Sequence, residues 1–141
     1  MTDPGELSAA GWTCVEAGGF TGQLGPIWVR GAGAAREIGF FAAPHHGNTH
    51  LGSVHGGVLM TFADIGLGYG AADALGGHHC VTAQLQIQFV ATANLGDFIS
   101  CRPEVVRAAT RLLFVRGLIV AGGKTVASAD GIWKVLDKQL R

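Results

Sequence analysis

The chain has 141 residues, of which 48% are apolar and only 14% are charged, with ten basic and ten acidic side chains. This length fits a single domain over residues 1–141 and excludes two domains of ordinary size. The zero net charge, without any Lys/Arg run, excludes the electrostatic footprint of a nucleic-acid-binding protein. Charge this sparse leaves little polar cover for a monomer, so we expect subunit contacts to bury part of the surface.

Cysteine usage and apolar runs indicate where the protein works. Its three cysteines form no CxxC pair, which favours reduced thiols over a disulfide framework. The N-terminus MTDPGELSAAGW has neither the basic flank nor the apolar core of a signal peptide. The most apolar stretch, residues 54–72, contains Asp64 and several glycines, which argues against a membrane span. We therefore predict a cytoplasmic protein that does not bind membranes.

The first third of the chain predicts short elements separated by turns. Residues 2–11 favour a helical turn that ends at Gly11. Strand candidates follow in GQLGPIWVR, residues 22–30, and in REIGFFAA, residues 36–43. PHHGNTHLGS, residues 44–53, is rich in turn-forming residues and predicts a polar loop.

A long helix is predicted from Gly57 to about Leu75, where there is no proline and little β-branching. Gly66, Gly68 and Gly70 each weaken a helix by about 1 kcal/mol relative to alanine, so we expect a packing reason for them. Close approach of another backbone is one such reason. The segment is apolar nearly all the way round, which predicts that the helix is buried.

The second half of the chain predicts four strands. They are CVTAQLQIQFVA (80–91), DFISCRPEVVRAA (97–109), TRLLFVRGLIVA (110–121) and TVASADGIWKVL (125–136). In the first of them, apolar and polar residues alternate, which places Thr82 on the face opposite Val81 and Leu85. The GGK turn predicts a hairpin, and four strands with short links predict an antiparallel meander. The fold class is therefore α+β, with a sheet curled around one buried helix.

Asp64 is a lone carboxylate in the middle of the predicted helix. Burying an unpaired carboxylate costs several kcal/mol, so its presence needs a reason. It can lie on a thin polar stripe or cap a neighbouring backbone, which would be a structural role. It can also serve as a general base or nucleophile in an apolar pocket. Residue type alone leaves both interpretations open.

The sequence His55-Gly56-Gly57 lies at the start of this helix. An N–H of Gly56 or Gly57 suits the stabilisation of an oxyanion, although an ordinary loop-to-helix turn uses the same glycines. Gly56 and Asp64 are eight residues apart, which separates them by about 12 Å along one helix. Two subunits related by a two-fold axis bring both groups to one carbonyl, which predicts a homodimer with two sites at its interface.

Together these motifs resemble the hotdog-fold acyl-CoA thioesterases of the phenylacetate-pathway (PaaI-like) type. The matching stretches are LGSVHGGVLMTFADIG (51–66), VTAQLQIQFVATANLGD (81–97) and GGKTVASADGIWKVL (122–136), within a family-like core of about 36–137. The resemblance implies a long central helix wrapped by a curved antiparallel sheet, in dimers that often pair into tetramers. It also implies hydrolysis of an acyl- or aryl-CoA thioester, with no cofactor besides the CoA of the substrate.

The resemblance also implies roles for individual residues. Asp64 matches the catalytic acid, Gly56 the residue whose N–H polarises the carbonyl, and Thr82 a position that orients the attacking water. The family often has Asn three residues before the loop glycine, where this chain has Thr49, with Asn48 one residue earlier. The remaining substrate-binding candidates are His55 in a structural role, Gly57, the pocket residue Met60 (with Phe62, Leu67 and Tyr69), and Arg107 and Arg111 for the CoA phosphates.

Three other functions are alternatives to thioester hydrolysis. Six histidines invite a metal site, at His45, His46, His50 and His55 in one loop and at His78 and His79. No Cys or carboxylate accompanies them at a familiar zinc spacing, so no metal is predicted. A hotdog hydratase or dehydratase relies on a catalytic His, whereas Asp64 after HGG favours hydrolysis. A non-catalytic acyl-CoA-binding protein would bind the ligand without turnover.

Overall fold

In the computed structural model, which describes residues 3–49, 52–77 and 79–136, an antiparallel sheet packs around one long helix. The helices are α1 (Pro4–Ala9) and α2 (Gly56–Ala74). The strands are β1 (Thr13–Val15), β2 (Ile27–Arg30), β3 (Glu37–Phe41), β4 (Cys80–Phe89), β5 (Phe98–Cys101), β6 (Glu104–Ala108), β7 (Leu112–Ala121) and β8 (Lys124–Val135). The predicted α+β class and the bounds of the long helix are confirmed. None of the helices within the described ranges is long and apolar enough to cross a bilayer.

The strand order is β1-β2-β3-β5-β7-β8-β4, and β6 also pairs with β7. β5 and β6 are one strand interrupted at Arg102 and Pro103, because their pairing with β7 keeps the same register across the break. Proline has no N–H to donate to the ladder, so hydrogen bonding stops there. The single strand predicted over residues 97–109 is therefore split in two.

The predicted meander is wrong for its first strand. β4 pairs with β8 instead of with β5, and it lies at an edge of the sheet. The connection over residues 90–97 reaches the other side of the sheet, where β5 pairs with β3. β5, β7 and β8 do follow one another as predicted, and the hairpin before β8 turns at Gly122 and Gly123, both with positive φ. Alternation predicts that a segment is a strand, but it does not name the strand's neighbours.

A β-bulge in β4 changes the face on which Thr82 lies. The register against β8 shifts between Thr82 and Gln84. Because a bulge inserts one extra residue, here Ala83, the residues on its two sides no longer share one alternation. Thr82 therefore points towards α2, on the same side as Leu85, which packs against the core. Val81 points away and is 46% exposed, so the predicted grouping of Val81 with Leu85 is wrong.

Helix α2 buries only one of its sides against the sheet. Its buried residues are Leu59, Phe62, Ala63, Gly66, Leu67, Gly70 and Ala71, which recur every three or four positions and form one face. This face packs mainly against β4, β6, β7 and β8. Asp64, Ile65 and Tyr69, on the other side, are half-buried. The prediction of a helix buried all round is corrected, because the chain's own sheet covers only one face of the helix.

Two of the three helix glycines have the expected packing reason. A Cβ on Gly66 would overlap the Cys101 sulfur, and a Cβ on Gly70 would lie 2.6 Å from Cβ of Pro103. Both glycines therefore let α2 approach the β5–β6 break closely. Gly68 differs, because a Cβ there would meet nothing nearer than Trp133 Nε1, at 3.6 Å. Packing within the chain does not require glycine at position 68.

Candidate active site

Asp64 and Thr82 meet in the space between α2 and β4. Thr82 Oγ1 donates a hydrogen bond to Asp64 Oδ1 at 2.5 Å, a charge-assisted contact that the bulge makes possible. Asp64 is half-buried and Thr82 is exposed. Within the described part of the chain, Asp64 Oδ2 has no hydrogen-bond partner. The carboxylate is thus held by one oxygen and open to a small molecule at the other.

This pair lies at one wall of a groove of about 670 Å³. The groove is lined by Ala17, Gly18 and Thr21, by Asp64, Ile65, Gly68, Tyr69 and Ala72 of α2, by Gly77, His79, Cys80, Val81 and Thr82, and by Trp133. Of the aromatic and apolar pocket candidates, Tyr69 lies here, whereas Phe62 and Leu67 are fully buried in the core. Met60 is half-buried one turn before Asp64. The groove suits an uncharged group, because no Lys or Arg is among the described residues that line it.

The start of α2 presents one unused amide. His55 is the N-cap, and its Nδ1 accepts a hydrogen bond from the Gly57 N–H at 2.8 Å. The Gly57 amide is therefore occupied. The Gly56 N–H has no acceptor within the described ranges. Gly56 lies against Phe89 at the end of β4, since a Cβ on it would be 3.3 Å from that ring. Of the two predicted oxyanion donors, the structure leaves Gly56 available.

Gly56 and Asp64 stay apart within one chain. Helix α2 is unbroken from Gly56 to Ala74, so its geometry separates the two positions by about 12 Å. A carbonyl that contacts Asp64 is out of reach of the Gly56 N–H of the same copy. One chain therefore holds the acid and its hydroxyl partner together, but not the acid and the amide.

Asn48 serves the loop that precedes α2. Its Nδ2 donates to Ser53 Oγ at 2.9 Å and to the Val54 carbonyl at 3.4 Å. These bonds close the loop and lead the chain into the helix start. Thr49, the alternative for the family's Asn position, is exposed. Neither residue lines the groove that holds Asp64.

The two arginines predicted to contact CoA phosphates lie elsewhere. Arg107 and Arg111 are exposed and flank the turn between β6 and β7. Neither lines the groove beside Asp64. A second groove, of about 710 Å³, is lined by Arg102 and Arg116, but both of these arginines form ion pairs with glutamates of the same chain. A single copy therefore does not place a predicted phosphate-binding arginine at the candidate site.

The histidine-rich loop is held by hydrogen bonds to backbone. His46 is 2% exposed, its Nδ1 accepts from the Ala43 N–H, and its Nε2 lies 3.1 Å from the Gln23 carbonyl. Burial lowers the pKa of His46, which favours the neutral ring. No group of three or more His, Cys, Asp or Glu side chains placed to hold a metal occurs among the described residues. His50 and His78 lie outside them.

The family of the chain follows from its sequence match. The model of the thioesterase superfamily matches residues 51–128, more than half of the chain. The chain belongs to the thioesterase superfamily. A Pseudomonas aeruginosa protein named a putative esterase is 31% identical to it over 111 residues, which are 78% of this chain and 83% of that protein.

Solved structures of other proteins share its fold. The PaaI protein of the Escherichia coli phenylacetic acid degradation operon is 22% identical, with a TM-score of 0.72 over 79% of this chain and 80% of that one. A Bacillus halodurans protein solved with CoA is 28% identical, with a TM-score of 0.66 over 71% of this chain and 66% of that one. The predicted hotdog fold and PaaI-like resemblance are confirmed.

Proposed function

We propose that the protein is an acyl-CoA thioesterase, which hydrolyses an acyl- or aryl-CoA thioester to a free acid and CoA. The observation that carries the proposal is the hydrogen bond from Thr82 to Asp64 at the edge of a groove that no described Lys or Arg lines. Membership of the thioesterase superfamily and similarity to a protein solved with CoA support it. No cofactor takes part, because the CoA belongs to the substrate.

Asp64 performs the chemistry at the thioester carbonyl. Its Oδ2 either takes a proton from a water that attacks the carbonyl, or attacks the carbonyl itself to give a mixed anhydride that water then cleaves. In both routes a C–O bond forms, the C–S bond breaks, and the CoA thiolate leaves and gains a proton. Thr82, as a positioning residue, fixes Oδ1 and thereby orients the carboxylate.

A second copy of the chain supplies the oxyanion donor. The Gly56 N–H lies at a helix N-terminus, where unpaired amides stabilise negative charge. Its own Asp64 is about 12 Å away, so it serves the Asp64 of a partner. β4 offers a surface for that partner, because it lies at a sheet edge and ends at exposed Phe89, which exposed Val90 follows. Unpaired edge strands readily pair with another chain. The protein is therefore a homodimer through β4, and such dimers can pair into tetramers.

Thiol release from a panel of aryl- and alkyl-CoA thioesters tests the hydrolysis. We expect Asp64→Ala and Asp64→Asn to lower turnover by at least about a hundredfold, the effect of removing an acid–base group. Asp130→Asn is a matched control, since Asp130 is exposed on β8 and does not line this groove. An unchanged rate in both Asp64 variants would remove Asp64 from the mechanism. Ligand binding without thiol release would instead identify an acyl-CoA-binding protein, and conversion of the acyl group without thiol release a hydratase.

A further inference from the structure

The groove beside Asp64 contains an unused hydrogen-bond donor. Trp133 is 2% exposed, yet it lines the groove. Its indole N–H has no acceptor among the residues that the structure describes. No fully enclosed side-chain nitrogen or oxygen in that part of the chain lacks a partner, so Nε1 must keep some surface open. Because the residue is otherwise enclosed, this surface faces the groove.

Gly68 lies next to this donor. An added Cβ at position 68 would lie 3.6 Å from Nε1 of Trp133, which is an ordinary contact distance. Alanine would therefore fit, and it favours a helix more than glycine does. Gly66 and Gly70 have no such freedom, because a Cβ on either would collide with its neighbour. Glycine at position 68 thus leaves space beside the Trp133 N–H that a side chain would occupy.

The donor lies within reach of a ligand attacked by Asp64. Gly68 follows Asp64 by four residues on the same side of α2, which corresponds to about 6 Å along the helix axis. Ile65, Tyr69 and Cys80 also line the groove, and no described Lys or Arg does. Such a lining fits the acyl end of the thioester and does not fit the CoA phosphates.

We propose that the Trp133 N–H donates a hydrogen bond to an oxygen on the acyl group, and that Gly68 admits that oxygen. The ligand class is a CoA thioester whose acyl part carries a hydroxyl or carbonyl oxygen several bonds from the thioester carbonyl. An analogue without this oxygen leaves the indole N–H without that partner, and sites built to hydrogen-bond a substrate oxygen discriminate strongly against analogues that lack it. The hydrolytic part of this inference rests on the proposed function, whereas the binding part does not.

Matched substrate pairs test the selectivity. Each pair has an oxygen-bearing acyl-CoA and its deoxy analogue, in one aliphatic and one aromatic version. We expect wild type to prefer the oxygen-bearing member of at least one pair by about tenfold or more in kcat/KM. Trp133→Phe should bring that ratio close to one while deoxy substrates are still cleaved, and Gly68→Ala should lower it. The proposal would be overturned if Trp133→Phe kept the wild-type ratio of kcat/KM values, whether its activity is unchanged or falls equally on both members of a pair.

Indole NMR tests the contact without requiring hydrolysis. The chain has three tryptophans, and the spectrum of Trp133→Phe assigns the Trp133 N–H signal. Non-hydrolysable thioether analogues of one matched pair are then titrated into wild type. We expect a downfield shift of this signal with the oxygen-bearing analogue alone. An unmoved signal at saturation, or failure of that analogue to bind, would overturn the proposal even if the protein proves to be a thioesterase. A shift with the oxygen-bearing analogue, combined with no thiol release from any thioester of the panel, would uphold the subsite and reject only the proposed hydrolysis.

Discussion

Removing the Thr82 hydroxyl measures how much its hydrogen bond to Asp64 contributes to the chemistry. Thr82→Val replaces the hydroxyl with a methyl group and keeps the β-branched shape that a strand favours. The lost contact is the 2.5 Å hydrogen bond to Asp64 Oδ1. A hydrogen bond to a charged group contributes about 1.5–3 kcal/mol. If Thr82 positions Asp64 in the transition state, this energy corresponds to a loss of about 10- to 150-fold in kcat/KM.

Thiol release and thermal unfolding, measured on the same variants, separate positioning from folding. Thr82→Ser keeps the hydroxyl and should retain most of the activity. Val106→Thr is a matched control, because it adds a hydroxyl to an exposed strand residue that does not line the groove. Since Thr82 is exposed, we expect little change in melting temperature for any of the three. A Thr82→Val enzyme as active as wild type would refute the assigned role, as would a loss that Thr82→Ser shares in full.

Three further predictions concern stability and thiol reactivity. Gly68→Ala should raise the free energy of unfolding by up to about 1 kcal/mol, whereas Gly70→Ala should lower it by about 1–3 kcal/mol through overpacking. Urea denaturation measures both changes, and equal effects of the two substitutions would contradict the contacts described. Burial alone would raise the pKa of Glu37, but hydrogen bonds from arginines outweigh it and lower that pKa. The stabilisation from Glu37 is therefore present above about pH 4 and is lost as the pH falls further. The melting temperature should accordingly depend less on pH in acid for Glu37→Gln than for wild type. Burial raises the pKa of the Cys101 thiol to about 12, so iodoacetamide should label exposed Cys14 and spare Cys101 in the folded protein, as mass spectrometry would show.

The sequence predicts the central helix and most strands because their signals are local. The absence of proline and the scarcity of β-branched residues predict α2, and alternation predicts β4. The neighbour of β4 is not a local property, since it depends on where the connection over residues 90–97 leads. The burial of α2 is not a local property either. Apolar residues surround the helix, so the sequence does not show which side is buried. That side depends on where the sheet of the same chain packs against the helix.

The candidate site was predictable in its residues but not in its contacts. Asp64 and Gly56 stand out because an acid in an apolar helix and glycines at a helix start are chemically unusual. Thr82 was placed on the wrong face by alternation, because Ala83 continues the pattern and gives no sign of a bulge. Trp133 carried no signal at all, since a Trp in a strand usually belongs to the core. Its open N–H depends on the glycine opposite, 65 positions earlier in the chain.

Subunit complementation tests most directly whether two copies build each site. Gly56→Pro removes the amide hydrogen and adds a ring that the helix start accepts, since proline suits the first helical position and His55 before it already has the extended backbone that proline requires. Its Cβ would lie 3.3 Å from the Phe89 ring, as would the Cβ of Gly56→Ala, so the alanine variant controls for that contact. We expect Gly56→Pro and Asp64→Asn to be nearly inactive alone, with Gly56→Ala as the control that keeps the N–H. After the two inactive variants are unfolded together and refolded, thiol release should reappear, because each mixed dimer contains one site with both native groups. Two variants that stay inactive in a mixture shown to contain mixed dimers would contradict a shared site, as would full activity in a single isolated copy.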